Sequence, residues 1–182
     1  MESPLIGQFN MANTLAAIAA ANHAGVPPST TCKSAAGFLS VKRRLELLAE
    51  VGGISIYDDF AHHPTAVAQT LRALRQRVGS DTIVCVFEPR SNTMLDGSHR
   101  ETLPGAFTDA DRTVIFKPEK IQWDVEALAD EHTWICASVT EIVRSLSETL
   151  QSGDHVVIMS NGSFANIHQK LIDALGVTLS QR

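Results

Sequence analysis

Ile54-Ser55-Ile56-Tyr57-Asp58-Asp59-Phe60-Ala61-His62-His63-Pro64-Thr65-Ala66-Val67 decides how the chain folds. The apolar run Ile54–Tyr57 ends in two carboxylates, and Pro64 opens a helical pattern. Pro at the first helical turn wastes no N–H. The stretch therefore reads strand, polar loop, helix. In an open parallel sheet, ligands bind beyond the carboxyl ends of the strands. Acid, aromatic and imidazole groups gather at such an end here, and a fold alone needs none of them.

Downstream the alternation is regular. Thr82–Phe87 is a continuous β-branched run, as expected of a strand covered on both faces. Arg112–Phe116, Thr133–Cys136 and His155–Met159 read as further strands. Helices are expected from Pro64 to Val78, weakly from Ser98 to Phe107, from Val125 to Asp130, from Val139 to Leu150, and along a face traced by Phe164, Ile167, His168, Leu171, Ile172 and Leu175. Strands separated by helices call for an α/β fold with a doubly wound, mostly parallel, Rossmann-like sheet. Gly52-Gly53 between two β-prone runs adds an antiparallel hairpin at one edge. Upstream, Asn13–His23 and a segment from Ser29 or Thr30 to about Leu39 read as helices without strands between them. They look like the end of another domain, residues 1–40, with Val41–Arg44 as hinge and residues 41–182 as the α/β domain.

Composition sets limits. Of 182 residues, 44% are apolar and 19% charged, ordinary for a globular domain with a substantial core. A net charge of −5 argues against a nucleic-acid partner, and Lys42-Arg43-Arg44 is too short for a basic tract. No apolar run approaches the ~20 residues of a membrane span. The N-terminal stretch does not read as a signal peptide. Cys32, Cys85 and Cys136 lie far apart, without metal-ligand spacing, and fit a reducing cytoplasm. His62 and His63 are adjacent, so their side chains diverge, and no third ligand is spaced to help; no metal site is expected.

Asp58 and Asp59 must point to opposite faces of a strand, which excludes a carboxylate dyad. One is expected to face the crevice and the other to serve structure. Asp-Asp-Phe-Ala-His-His-Pro-Thr resembles the signature that opens the C-terminal domain of the Mur ligases, ATP-dependent amide-forming enzymes of peptidoglycan synthesis. Phe87–Met94, FEPRSNTM, resembles the branch of that family that joins L-alanyl-γ-D-glutamyl-meso-diaminopimelate, a murein tripeptide, to UDP-N-acetylmuramate. The resemblance covers nearly the whole chain.

The resemblance implies roles for particular residues. Asp59 matches the acid associated with the ATP ribose; the other reading is an acid that ties down the loop. His62 matches a nucleotide-site histidine at a helix N-terminus, where anions are favoured. Arg43 matches the arginine of a Gly-Arg motif that reaches the γ-phosphate on domain closure, with Lys42 standing where the family has glycine. Asn10 and Asn13 match residues that contact adenine, although Asn10 could equally cap a helix. Arg90 is assigned to the carboxylates of the peptide, with Ser91 and Asn92 in support, because a guanidinium grips a carboxylate with two hydrogen bonds. Ser160 and Asn161 line the peptide pocket or simply start a helix.

ATP and Mg²⁺ are implied as cofactors. No phosphate-cradling loop of the G-x-x-x-x-G-K-[ST] type occurs in the sequence. In the family that loop and the metal ligands lie in domains that precede this one. The chain is thus expected to need N-terminal and central domains in cis, to begin at a Met1 that is not the natural start, and to lack ligase activity alone. Two other readings stay open. One is another Mur-type enzyme, such as the UDP-N-acetylmuramate–L-alanine ligase. The other is a non-catalytic nucleotide-binding or adaptor domain.

Overall fold

The computed structural model describes residues 5–38 and 40–180. The sheet begins with a hairpin: β1 (Glu46–Val51) turns at Gly52-Gly53 into β2 (Ile54–Asp59), antiparallel. Both glycines have positive φ, 58° and 81°, which a two-residue hairpin turn demands. Helix α3 (Pro64–Val78) follows two upstream helices, α1 (Gln8–His23) and α2 (Pro28–Ala36). Then come β3 (Ile83–Phe87), two short helices α4 (Asn92–Leu95) and α5 (Leu103–Ala106), β4 (Arg112–Phe116), a 3₁₀ turn at Val125–Leu128, and β5 (Thr133–Cys136). Helix α6 (Val139–Thr149), β6 (His155–Met159), a 3₁₀ turn at Phe164–Asn166 and α7 (Ile167–Ser180) complete the fold.

The six strands lie in the order β1-β2-β6-β3-β4-β5, parallel throughout except for the hairpin. Helices cover both faces. On one, Val67, Leu71 and Leu74 of α3 pack with Met94, Leu103, Tyr57, Cys85 and Phe87. On the other, Ile142 and Leu146 of α6 and Ile167, Leu171 and Leu175 of α7 pack with Ile56, Val86, Val156 and Ile158. Each fully buried Leu or Ile contributes about 1.5–3 kcal/mol. The expected doubly wound sheet with its antiparallel edge is therefore the fold.

Several boundaries differ from the sequence expectation. α1 starts at Gln8, not Asn13, because Gly7 at φ 94° breaks the chain direction just before it. α2 begins with Pro28 at its first position, so neither Ser29 nor Thr30 is the cap; its expected end at Leu39 lies outside the described residues. The weak helix expected over Ser98–Phe107 is reduced to α5, and α4 forms earlier, directly after the Glu88–Ser91 loop. No residue of α1 or α2 is buried. Their apolar side chains, such as Met11 and Leu15, stand exposed, whereas Ile6 and Phe9 pack against the α3 side of the core.

What matters for a site is the level of the strand ends. Asp59 lies beside Met159, and Met159 beside Phe87. The helix after β6 covers one face, and the helices after β2 and β3 cover the other. The chain thus diverges on both sides of β6, which opens a crevice above its carboxyl end.

Candidate functional site

Three loops meet at this crevice: Phe60–His63 after β2, Glu88–Asn92 after β3, and Ser160–Ser163 after β6. The linker supplies a fourth element, Arg43. Ser160 donates its N–H to Asp59 O (3.1 Å), and Glu88 donates its own to Met159 O (3.0 Å), so the ladder continues one residue beyond the strands.

The sequence reading places one of the paired carboxylates in the crevice. The structure buries both, on opposite faces as the strand period requires. Asp59, 2% exposed, faces α3. Its oxygens accept from Leu45 N (2.7 Å), Ala61 N (2.7 Å) and Thr70 Oγ1 (3.4 Å). Burial pushes its carboxyl above the ordinary range, and the two backbone N–H groups oppose that shift. Asp59 fastens the segment before β1 to the β2 loop here through protein hydrogen bonds to both oxygens.

Asp58 faces α7. It pairs with Arg43 Nε (3.1 Å to Oδ2) and stands 3.2 Å from His168 Nε2, close enough for an ion pair but outside hydrogen-bond alignment. Burial pushes against ionisation, yet the His168 ring and the Arg43 guanidinium hold the carboxyl below its ordinary range. A lowered folded value gives stability that is present above the unfolded value, about pH 4, and is lost as pH falls through the folded one. Asp58→Asn should thus lower stability by about 1.5–3 kcal/mol at pH 7. The gap to the parent chain should shrink below about pH 4, as read by urea unfolding across pH.

Arg43 is the hub. Its φ of 59° is left-handed, as are those of Ser40 (73°) and Leu45 (48°), while Lys42, at the family's glycine position, is not among the positive-φ residues. Such a conformation costs about 1–2 kcal/mol in a non-glycine residue. Five polar contacts offset it. Arg43 N donates to Glu46 Oε2 (2.8 Å), its O accepts from Phe60 N (2.9 Å), and Nε binds Asp58. Nη2 donates to Ser160 O (2.6 Å) and Gly162 O (3.0 Å). The guanidinium carbon also lies 5.2 Å from the centre of the Phe60 ring. Arg43 is thus turned toward β1, β2 and the turn after β6.

His62, partly exposed, packs edge-on against Phe60 (5.3 Å between centres) and its Nδ1 lies 2.9 Å from Phe60 O. His63 caps α3, accepting from Thr65 N at Nδ1 (3.3 Å), and meets His99 at 4.4 Å between ring centres. Arg90 is exposed on the rim and makes no ion pair or hydrogen bond among the described residues. Ser91 sits at the N-terminus of α4 without a side-chain cap, its Oγ 3.4 Å from Thr93 Oγ1, and Asn92 is exposed beside it. Ser160 is fully buried: its Oγ donates to Glu88 Oε2 and accepts from Gly162 N (2.9 Å). Asn161 carries a buried Oδ1 with no donor among the described residues. Three successive left-handed residues follow, Phe164, Ala165 and Asn166, the kind of local strain that collects near binding loops.

Asn10 and Asn13 stand apart from this rim. They line a groove of about 850 Å³ between α1, α2 and the linker, together with Phe38, Arg44 and Gln69; Arg43, Asp59, His62 and Arg90 do not line it. Asn10 spends its Nδ2 on Ile6 O (2.7 Å). Among the described residues no three His, Cys, Asp or Glu side chains come together to hold a metal ion.

The model of the Mur ligase, glutamate ligase domain, matches residues 43–162. This chain belongs to the Mur ligase family. It is 44% identical, over 94% of its length, to the UDP-N-acetylmuramate–L-alanyl-γ-D-glutamyl-meso-2,6-diaminoheptandioate ligase of Haemophilus influenzae, of which it covers 39%. It is 30% identical, over 94% of its length, to the UDP-N-acetylmuramate–L-alanine ligase of Symbiobacterium thermophilum, of which it covers 38%. Among solved structures, a murein peptide ligase from Psychrobacter arcticus superposes with a TM-score of 0.75 at 37% identity, covering 97% of this chain and 38% of that one. The chain spans about two-fifths of the length of these Mur ligases. Glu88, Asp58, Gly162 and His168 carry more of the site's architecture than the sequence reading gave them. The strand period puts Asp58 on a defined face, but the partner waiting there on α7 lies 110 residues on.

Proposed function

We propose that this chain is the C-terminal domain, residues 41–182, of an ATP-dependent ligase that joins L-alanyl-γ-D-glutamyl-meso-diaminopimelate to UDP-N-acetylmuramate. Residues 1–40 are the end of its central ATPase domain; helices with no buried residue fit elements whose core lies in another part of the protein. The observation that carries the reading is Arg90: an exposed guanidinium without a hydrogen-bond or ion-pair partner among the described residues, at the carboxyl end of β3, beside the crevice. A planar guanidinium fork on the rim suits a peptide carboxylate, and this tripeptide has several. Ser91, Asn92 and the open acceptor of Asn161 supply neighbouring polar contacts.

ATP supplies the phosphoryl group that activates the muramate carboxylate; the amine of the tripeptide then attacks that carbon, an amide bond forms, and phosphate leaves. This chain's share is positioning. Phe60 and His62 offer a ring face and an imidazole to the nucleotide, and Asn10 and Asn13 offer amides to its base. Asp59, 2% exposed, acts through the loop it fixes. Arg43 spends Nε and Nη2 on Asp58 and the Ser160–Gly162 turn, so a phosphate either meets its Nη1 or draws the guanidinium from those partners. Mg²⁺ is held by the preceding domains. Nucleotide-sugar chemistry and the lack of disulfides fit a cytoplasmic enzyme.

The test is an amide-forming assay on the whole protein with UDP-N-acetylmuramate and ATP. Tripeptide should be preferred over free L-alanine by at least about 100-fold in kcat/KM. A preference for L-alanine moves the protein to the alanine-adding branch. ATP turnover with neither amine leaves a nucleotide-binding module.

A further inference from the structure

Gly162 lies directly beneath Arg90. A Cβ built on Gly162 would overlap Arg90 Nη1 and stand 2.5 Å from Cζ and 2.9 Å from Cδ. The guanidinium therefore rests on the bare Cα. Backbone conformation does not explain the glycine, because Gly162 is not among the positive-φ glycines. What the position requires is room.

The turn that carries Gly162 is held on several sides. Ser160 O and Gly162 O accept from Arg43 Nη2. Ser160 N donates to Asp59 O, Gly162 N donates to Ser160 Oγ, and that hydroxyl donates to Glu88. β2, β3 and the linker thus all fasten one short backbone segment. An arginine side chain carries much rotamer entropy, which an exposed Arg must lose when it binds. A fixed floor removes part of that loss beforehand, the general advantage of preorganisation.

We propose that Gly162 is a positioning residue for the carboxylate subsite: it seats Arg90, and Arg43 fixes the seat from the linker side. The inference rests on the reading of Arg90 as the carboxylate contact. It makes Arg43 a link between the interdomain hinge and peptide binding. A nucleotide that draws Arg43 away removes two donors from the turn under Arg90, so nucleotide and peptide affinities are coupled, and by linkage reciprocally.

Gly162→Ala tests the seat cleanly. The clashing atoms belong to the far end of an exposed side chain, so Arg90 swings away and the backbone stays. The midpoint of thermal unfolding should remain within about 2 °C, as for a surface change. In the whole protein, KM for the tripeptide should rise about tenfold at nearly unchanged kcat, the mark of lost ground-state binding. In an Arg90→Ala background the same substitution should add nothing. Side-chain ¹⁵N relaxation at Arg90 Nε should report a restrained group in the parent chain and a mobile one in Gly162→Ala. Equal mobility in both, or an unchanged KM in Gly162→Ala where Arg90→Ala raises it, overturns the seat and leaves the carboxylate reading standing. An unchanged KM in Arg90→Ala instead overturns the carboxylate reading itself.

Discussion

Replacing Asp59 with Ala should destabilise the fold by about 3 kcal/mol, the largest stability change expected at the rim. The carboxylate satisfies two backbone donors that have no other partner among the described residues: Leu45 N, just before β1, and Ala61 N, just after β2. Alanine strands both in a site that is 2% open to solvent, and leaves Thr70 Oγ1 without its acceptor. Asp59→Asn should be milder, because an amide oxygen keeps one of the two N–H groups while its NH₂ faces the other. The pH signature distinguishes this residue from its neighbour. Burial raises the folded value of Asp59, so its contribution is fully present below about pH 4 and declines as pH rises through the folded value. Asp58 behaves in the opposite sense. Urea unfolding of the parent, Asp58→Asn and Asp59→Ala across pH 3–7 reads both. If the Asp59→Ala gap widens towards neutral pH, the assignment of burial as the dominant influence is wrong.

The fold was legible in the sequence because its strands are short β-branched runs that can be buried on both faces, and because Gly52-Gly53 and Pro64 mark their boundaries. What the sequence could not show was the place of β6 between β2 and β3. That insertion follows from a long return through α6, and no local pattern records where a strand inserts. The site depends on it, since the Ser160–Gly162 turn lies between the two loops that the motifs had singled out. The same gap explains the assignment of the acid pair. Period-two alternation separates Asp58 from Asp59, but the chemistry of each face is set by Thr70 on α3 and His168 on α7, both distant in sequence. Arg43 illustrates the limit from the other side. Its motif points to a nucleotide phosphate, whereas its described contacts are with Asp58 and two carbonyls of a turn more than 110 residues later. Asn10 and Asn13 lie on α1, in a groove whose remaining walls come from elements that follow and precede the linker, and local spacing gives no access to such a surface.

Arg90→Ala should raise the KM for the tripeptide by about 10–100-fold, the equivalent of about 1.5–3 kcal/mol for charge-assisted hydrogen bonds. The expected change falls on KM more than on kcat. Arg90 holds a carboxylate remote from the reacting amine, and a contact equally strong in ground and transition states leaves kcat largely intact. The KM for ATP should not move, since Phe60 and His62 stand on a different loop. Arg90→Lys keeps the charge but loses the planar fork, so it should recover only part of the affinity. The decisive comparison pairs the variant with a tripeptide whose terminal carboxylate is amidated. If Arg90 grips that group, the amidated substrate should weaken the parent enzyme as much as the Ala substitution does, and the variant should treat both substrates alike. A variant that still discriminates between them by the parent's margin would assign carboxylate recognition to another residue, and Ser91, Asn92 and Asn161 would be the next to replace.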